Sequence, residues 1–171
     1  MDKRWIVIII ILIVGISSLF LIANQSDKIG KAITTIDNVV ITLPTDFRVE
    51  HAGDGYTTLT NRNTGEKLHI ELIKEKNKAQ SLMKSKLEEL KSDNVDNIEN
   101  YTQNIANITV YTISYQNLSS DSPVNYTVNY LNKLNKTFII TTSNYDDSTS
   151  ELSDLTDIVT TLRLDYKMKN K

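Results

Sequence analysis

Residues 5–23 form a run of nineteen without a charged side chain, and Lys3 and Arg4 stand directly before it. Crossing about 30 Å of bilayer hydrocarbon takes roughly 20 helical residues, so the run matches one transmembrane helix. A cleaved secretory signal has a shorter apolar region of about 7–15 residues, with small residues at the cut. Here the run is longer, and its exit, Leu21-Ile22-Ala23-Asn24, lacks the small-x-small pattern. The expectation is an uncleaved anchor. Ser17 and Ser18 fit inside it, because a helical serine bonds back to a preceding carbonyl. A pilin-type start is disfavoured: Met1-Asp2-Lys3-Arg4-Trp5-Ile6 has neither the small residue at a cut nor the following glutamate.

Lys and Arg flanking a membrane helix hold that end in the cytoplasm. Residues 1–4 are therefore read as a cytoplasmic stub and 5–23 as the membrane anchor, with Trp5 at the interface. Residues 24–37 are a polar spacer, 38–165 an extracytoplasmic domain, and 166–171 a basic tail bearing Lys167, Lys169 and Lys171. The expected location is the cell membrane, with a single pass, the N-terminus inside and the domain outside.

Without residues 1–24 the chain holds seventeen Lys and Arg against twenty Asp and Glu, a net charge of −3. That balance leaves no basic face for nucleic acid. There is no cysteine, which excludes disulfides, thiolate catalysis and cysteine-ligated zinc; cysteine-free outward domains are common in prokaryotes. Six asparagines begin an Asn-x-Ser/Thr acceptor: Asn24, Asn100, Asn107, Asn117, Asn125 and Asn135. On an outward-facing domain each is a possible glycosylation site, although the asparagine-rich composition alone supplies about three such triplets by chance.

Periodicity gives the elements. Residues 39–43 are β-branched and stop at Pro44, which marks a strand. Residues 56–60 and 67–74 alternate about the turn Asn61-Arg62-Asn63-Thr64-Gly65, as in a hairpin. Ala79, Leu82, Met83, Leu87 and Leu90 recur at helical spacing over about 78–92, with Asn77 and Gln80 as a cap. Four strands follow at 98–102, 108–116, 124–132 and 137–143. Strand 108–116 is apolar on both faces and is expected near the centre, whereas 124–132 alternates covered Tyr126, Val128 and Tyr130 with wetter Asn125, Thr127 and Asn129. Ser148-Thr149-Ser150-Glu151 is a capping box for a last helix, with Leu152, Leu155, Ile158, Val159 and Leu162 as its buried stripe. The fold class is α+β: an antiparallel sheet of six to seven strands with two packed amphipathic helices, preceded by the transmembrane helix.

The opening strand Val-Val-Ile-Thr-Leu-Pro (39–44), this element order and a terminal helix ending Thr-Leu-Arg-Leu (161–164) resemble the Mog1/PsbP-like fold over about residues 38–165. The resemblance implies a binding or assembly module rather than an enzyme, and assigns no functional residue. Many prokaryotic relatives are held by a lipidated cysteine, which this chain replaces with a helix.

Only His51 and His69 can act as imidazole bases or ligands. His69 and Glu71 share a strand face, but two ligands do not make a metal site. His51 is read in a loop with Asp46, Glu50 and Asp54, which lacks the alternating oxygen ligands of a calcium loop. No nucleophile elbow, phosphate loop or dinucleotide fingerprint occurs. No catalytic, cofactor or metal residue is assigned. Tyr111, Tyr115, Tyr126 and Tyr130 fall on adjacent strands, either as ordinary cross-strand pairs or as an interaction patch. The leading expectation is a membrane-anchored extracytoplasmic binding or scaffold protein that meets another envelope protein or a surface polymer. The alternatives are a cell-surface hydrolase or metal-dependent enzyme, and a structural subunit of an envelope complex.

Overall fold

The structure, a computed structural model, describes residues 31–34, 39–43, 46–53, 55–91, 93, 95–119, 122–144 and 152–164. The apolar run at 5–23, Asn24, the capping box at 148–151 and the tail at 166–171 lie outside the described residues. Among the described residues no helix is long and apolar enough to cross a membrane.

The strands are β1 (Lys31–Thr34), β2 (Val39–Leu43), β3 (Phe47–Gly53), β4 (Tyr56–Asn61), β5 (Lys67–Ile73), β6 (Val95–Ile105), β7 (Ile108–Asn117), β8 (Val124–Lys133), β9 (Lys136–Asn144) and β10 (Arg163–Leu164). Helix α1 (Ala79–Leu90) follows β5, and α2 (Leu152–Thr161) follows β9. Seven strands make one antiparallel sheet in the order β3-β4-β5-β9-β8-β7-β6. With two helices packed on it, this is the expected α+β class.

Two expectations about strands are corrected. β2 does not join the large sheet; it pairs with β1 and β10 in a separate three-stranded sheet. Lys31–Thr34, inside the stretch read as a spacer, supplies that partner, with Ile33 opposite Ile41. β7 is not central either. It lies next to the edge strand β6, and β9 takes the middle. β7 is apolar on both sides because each face is covered: Val110 packs with one core cluster and Ile113 with the other.

The two clusters lie on opposite faces of the large sheet. Leu59, Leu68, Ile70, Leu131, Phe138 and Ile140 pack beneath Ile158 and Val159 of α2, Leu162 just past its end, and Val39 and Ile41 of β2. Ile113, Val128 and Tyr130 pack beneath Ala79, Met83 and Leu90 of α1. α1 presents the stripe that its spacing implies, and in and just past α2 Leu155, Ile158, Val159 and Leu162 do the same. The sandwich also corrects the reading of β8: Asn129, expected on a wetter face, is 2% exposed. It survives there because its Oδ1 accepts from Thr112 Oγ1 at 2.8 Å and its Nδ2 donates to the Ile140 carbonyl, so neither end of the buried amide is orphaned.

Each helix is fixed by side chains from the strands. Asn77 does not cap α1; it has φ +56°, and no side chain of the helix start supplies a cap. Instead, Lys78 N–H donates to Thr137 Oγ1 at 3.1 Å and Ala79 N–H to Asn132 Oδ1 at 3.3 Å. Helix start donors need such acceptors, and here the β8–β9 hairpin provides them. At the other helix, Lys133 Nζ donates to the Val159 carbonyl at 2.6 Å, a cation placed at the negative end of α2. Burial lowers the Lys133 pKa from its usual value. Thr161 Oγ1 accepts the Thr42 N–H at 3.1 Å, joining α2 to β2.

Candidate interaction surface

On the face of the large sheet that carries α1, the four tyrosines form two directly opposed cross-strand pairs, Tyr111 with Tyr130 and Tyr115 with Tyr126. Tyr130 is 4% exposed and belongs to the core under α1. Tyr111 and Tyr115 are half-buried against the same cluster. The Tyr115 and Tyr126 rings stack with centroids 5.2 Å apart and planes 11° apart. Beside Tyr115 lies a cleft of about 240 Å³, lined by Lys86, Leu90, Asp93 and Val95 among others. The Lys86 ammonium at this cleft is paired, its Nζ 2.6 Å from Glu89 Oε1.

Burial pushes the Tyr115 hydroxyl up to about 12, and the neighbouring Tyr126, Glu89 and Asp93 add to the shift. Tyr130 is raised by burial too, then by Tyr115, Glu89 and Glu71. A folded-state value above the unfolded one gives stability that is complete below about pH 10 and lost as pH rises through about 12. In a spectrophotometric titration, the phenolates of Tyr115 and Tyr130 are expected only well above pH 10, together with loss of structure. Ionisation of both near pH 10 in the folded protein would contradict the packing of α1.

His51 and His69 do not meet in a site. His51 is on strand β3, not in a carboxylate-bearing loop, because a bulge between Val49 and His51 resets the register and hides the strand alternation. Its ring stacks on Tyr56 at 5.3 Å, and Tyr56 in turn lies 5.3 Å from His69. The tyrosine ring thus stands between the two imidazoles. His69 Nδ1 is 3.0 Å from Thr58 Oγ1, within hydrogen-bond distance. A Cβ at Gly53 would lie 2.9 Å from the Tyr56 ring, so the row of three rings depends on glycine there. Among the described residues no three His, Cys, Asp or Glu side chains converge as metal ligands.

The acceptor asparagines divide by environment. Asn100 on β6, Asn107 in the β6–β7 turn and Asn135 in the β8–β9 turn are exposed. Asn117 is half-buried, its Oδ1 accepting the Ser119 N–H at 2.8 Å. Asn125 is half-buried too, and its Oδ1 accepts from Gln116 Nε2 at 3.1 Å.

The surface feature that sequence reading missed is the difference between the two sheet edges. Edge β3 is interrupted by its bulge and carries the exposed Arg48–Glu50 pair. Bulges and charges are the usual devices that keep an edge from pairing with another chain. Edge β6 is eleven residues long and almost wholly exposed. Its irregularity is confined to Asp96–Glu99. Beyond it, Asn100-Tyr101-Thr102-Gln103-Asn104-Ile105 contains no charge and no proline. Ile98 and Tyr101 on β6 and Leu118 just past the adjoining end of β7 are exposed, with Tyr101 at 43%. The signal was present in the sequence as that uncharged stretch, but only the strand order shows that it is an edge.

No protein-family model and no curated protein matches the sequence. Among solved structures, the chain is similar to the solution structure of cyanobacterial PsbP (CyanoP) from Synechocystis sp. PCC 6803, with 14% identity and a TM-score of 0.52. That match covers 80% of this chain and 93% of that one. It is also similar to a crystal structure from Bacteroides thetaiotaomicron VPI-5482, with 12% identity and a TM-score of 0.60 over 81% of this chain. It spans 49% of that longer protein, about half its length. Sheet, helices and these likenesses agree that the chain has a PsbP-like fold.

Proposed function

We propose that this chain is a single-pass, membrane-anchored protein that holds its PsbP-like domain outside the cell and uses it to bind or scaffold another envelope component. The observation that carries the binding role is the β6 edge: a long, exposed strand whose uncharged half holds exposed Tyr101, with exposed Ile98 and Leu118 towards its other end. Such an edge offers a row of backbone donors and acceptors to an added strand, and apolar side chains beside it give the contact its hold. The apolar run at 5–23 and the Lys3-Arg4 pair support the anchor and its direction.

Amine-reactive crosslinking of intact cells is expected to hold the full chain in a discrete complex, and Tyr101→Asp is expected to dissolve it by placing a carboxylate on the edge. A chain that runs as the same monomer with and without crosslinker contradicts the binding role. Because the protein has no cysteine, Lys84→Cys on the exposed face of α1 gives a single reporter of orientation. A membrane-impermeant maleimide is expected to label it on intact cells; labelling only after permeabilisation places the domain inside instead.

A further inference from the structure

The uncharged stretch at residues 100–105 of this edge leaves a foreign partner little to recognise by charge, because electrostatic complementarity supplies much of the specificity between different chains. The same strand suits a copy of itself. Antiparallel pairing of a strand with its own copy is twofold by geometry, and a twofold contact closes after two chains. The other edge, β3, is bulged and charged, so growth beyond two copies meets a blunted edge.

We propose that two copies of this chain pair antiparallel through their β6 edges, about a twofold axis at Thr102, so that one continuous sheet runs through both. This deepens the reading of β6 as the docking edge and rests on it. In this register Thr102 faces Thr102 of the second copy, Tyr101 faces Gln103, and Asn100 faces Asn104. Hydroxyl and amide groups opposed in this way can hydrogen-bond across the strands. Glu99 falls opposite Ile105, and Asp96 lies beyond the bulge and outside the paired stretch, so no two acidic residues meet. Registers centred towards the start of the strand bring Asp96 and Glu99 together and cost energy by like-charge opposition. Anchoring both copies in one membrane raises their effective concentration without any new contact.

The test uses the full chain in its native membrane. Directly opposed residues of antiparallel strands have Cα atoms about 4.5–5.5 Å apart, within the reach of a disulfide. In an otherwise cysteine-free protein, mild oxidation of Thr102→Cys is expected to give a dimer on a non-reducing gel that reduction reverses. Val49→Cys, on the exposed opposite edge, is expected to stay monomeric. Thr102→Lys, which opposes two ammonium groups, is expected to weaken dimerisation of the detergent-solubilised chain by about tenfold or more, read by sedimentation, while its melting temperature stays that of the parent. The proposal is overturned if Thr102→Cys dimerises no more than Val49→Cys, or if Thr102→Lys leaves the solution mass unchanged. The two readings fail separately. Capture of a different envelope protein at β6, with no Thr102→Cys dimer, removes self-pairing and leaves the scaffold role. A Thr102→Cys dimer with no third component captured leaves self-pairing and removes the other envelope partner.

Discussion

Phe138→Ala is expected to destabilise the domain by about 3–5 kcal/mol, the usual cost of emptying a buried phenylalanine site. Phe138 is 1% exposed and sits on β9, the middle strand of the large sheet. In register it lies between Leu72 of β5 and Leu131 of β8, both buried. α2 and β2 cover the same cluster from above. The walls of that site are strand backbones bonded on both sides, so they collapse little into the space left behind. Against a total stability of roughly 5–15 kcal/mol for a domain, the loss is large. Tyr101→Ala, on the exposed β6 edge, is expected within about 0.5 kcal/mol of the parent. Urea unfolding followed by circular dichroism compares the two midpoints. Equal midpoints for the two variants would sink the assignment of the core.

Thr137→Val is expected to cost about 1–3 kcal/mol, although it keeps the side-chain volume. Thr137 is fully buried and its hydroxyl is committed on several sides. It accepts the Lys78 N–H at 3.1 Å and lies 2.9 Å from both the Glu75 carbonyl and Asn132 Oδ1, to one of which its proton goes. Valine leaves the Lys78 N–H without its acceptor at the start of α1, and an unmet buried polar group costs about that much. The loss also has a local signature. α1 covers Tyr130 and packs on Tyr115, so loosening its first turn lets water reach both phenols. In Thr137→Val their ionisation is expected to move down from the high values of the parent towards pH 10. A destabilised variant with unchanged tyrosine titration would mean that α1 is not held through Thr137.

The helices and the meander were legible because their signals are local. Ala79, Met83 and Leu90 at helical spacing, and Tyr126, Val128 and Tyr130 at spacing two, each report a buried face without help from distant residues. What sequence reading lost was set by pairing at long range. Val39–Leu43 reads as a strand, but nothing within it says that its partners are Lys31–Thr34 and Arg163–Leu164. His51 reads as a loop residue because β3 is exposed along most of its length and bulged, so it has no alternation to detect. Asn77 looks like a cap, yet the acceptors at that helix start come from Asn132 and Thr137, more than fifty residues away. The tyrosine pairs were foreseen as cross-strand neighbours, and the register places them so. The β6 edge was missed because being an edge is a property of strand order.

The most direct measurement places a photo-crosslinking residue at position 101 on β6 or at position 49 on β3 and irradiates intact cells. Both positions are exposed, Tyr101 at 43% and Val49 at 48%, so accessibility does not separate them. The account predicts a discrete adduct from position 101, either with a second copy or with another envelope component, and none above background from position 49. Adducts of equal yield from both edges, or none from position 101, would contradict β6 as the surface through which this domain binds.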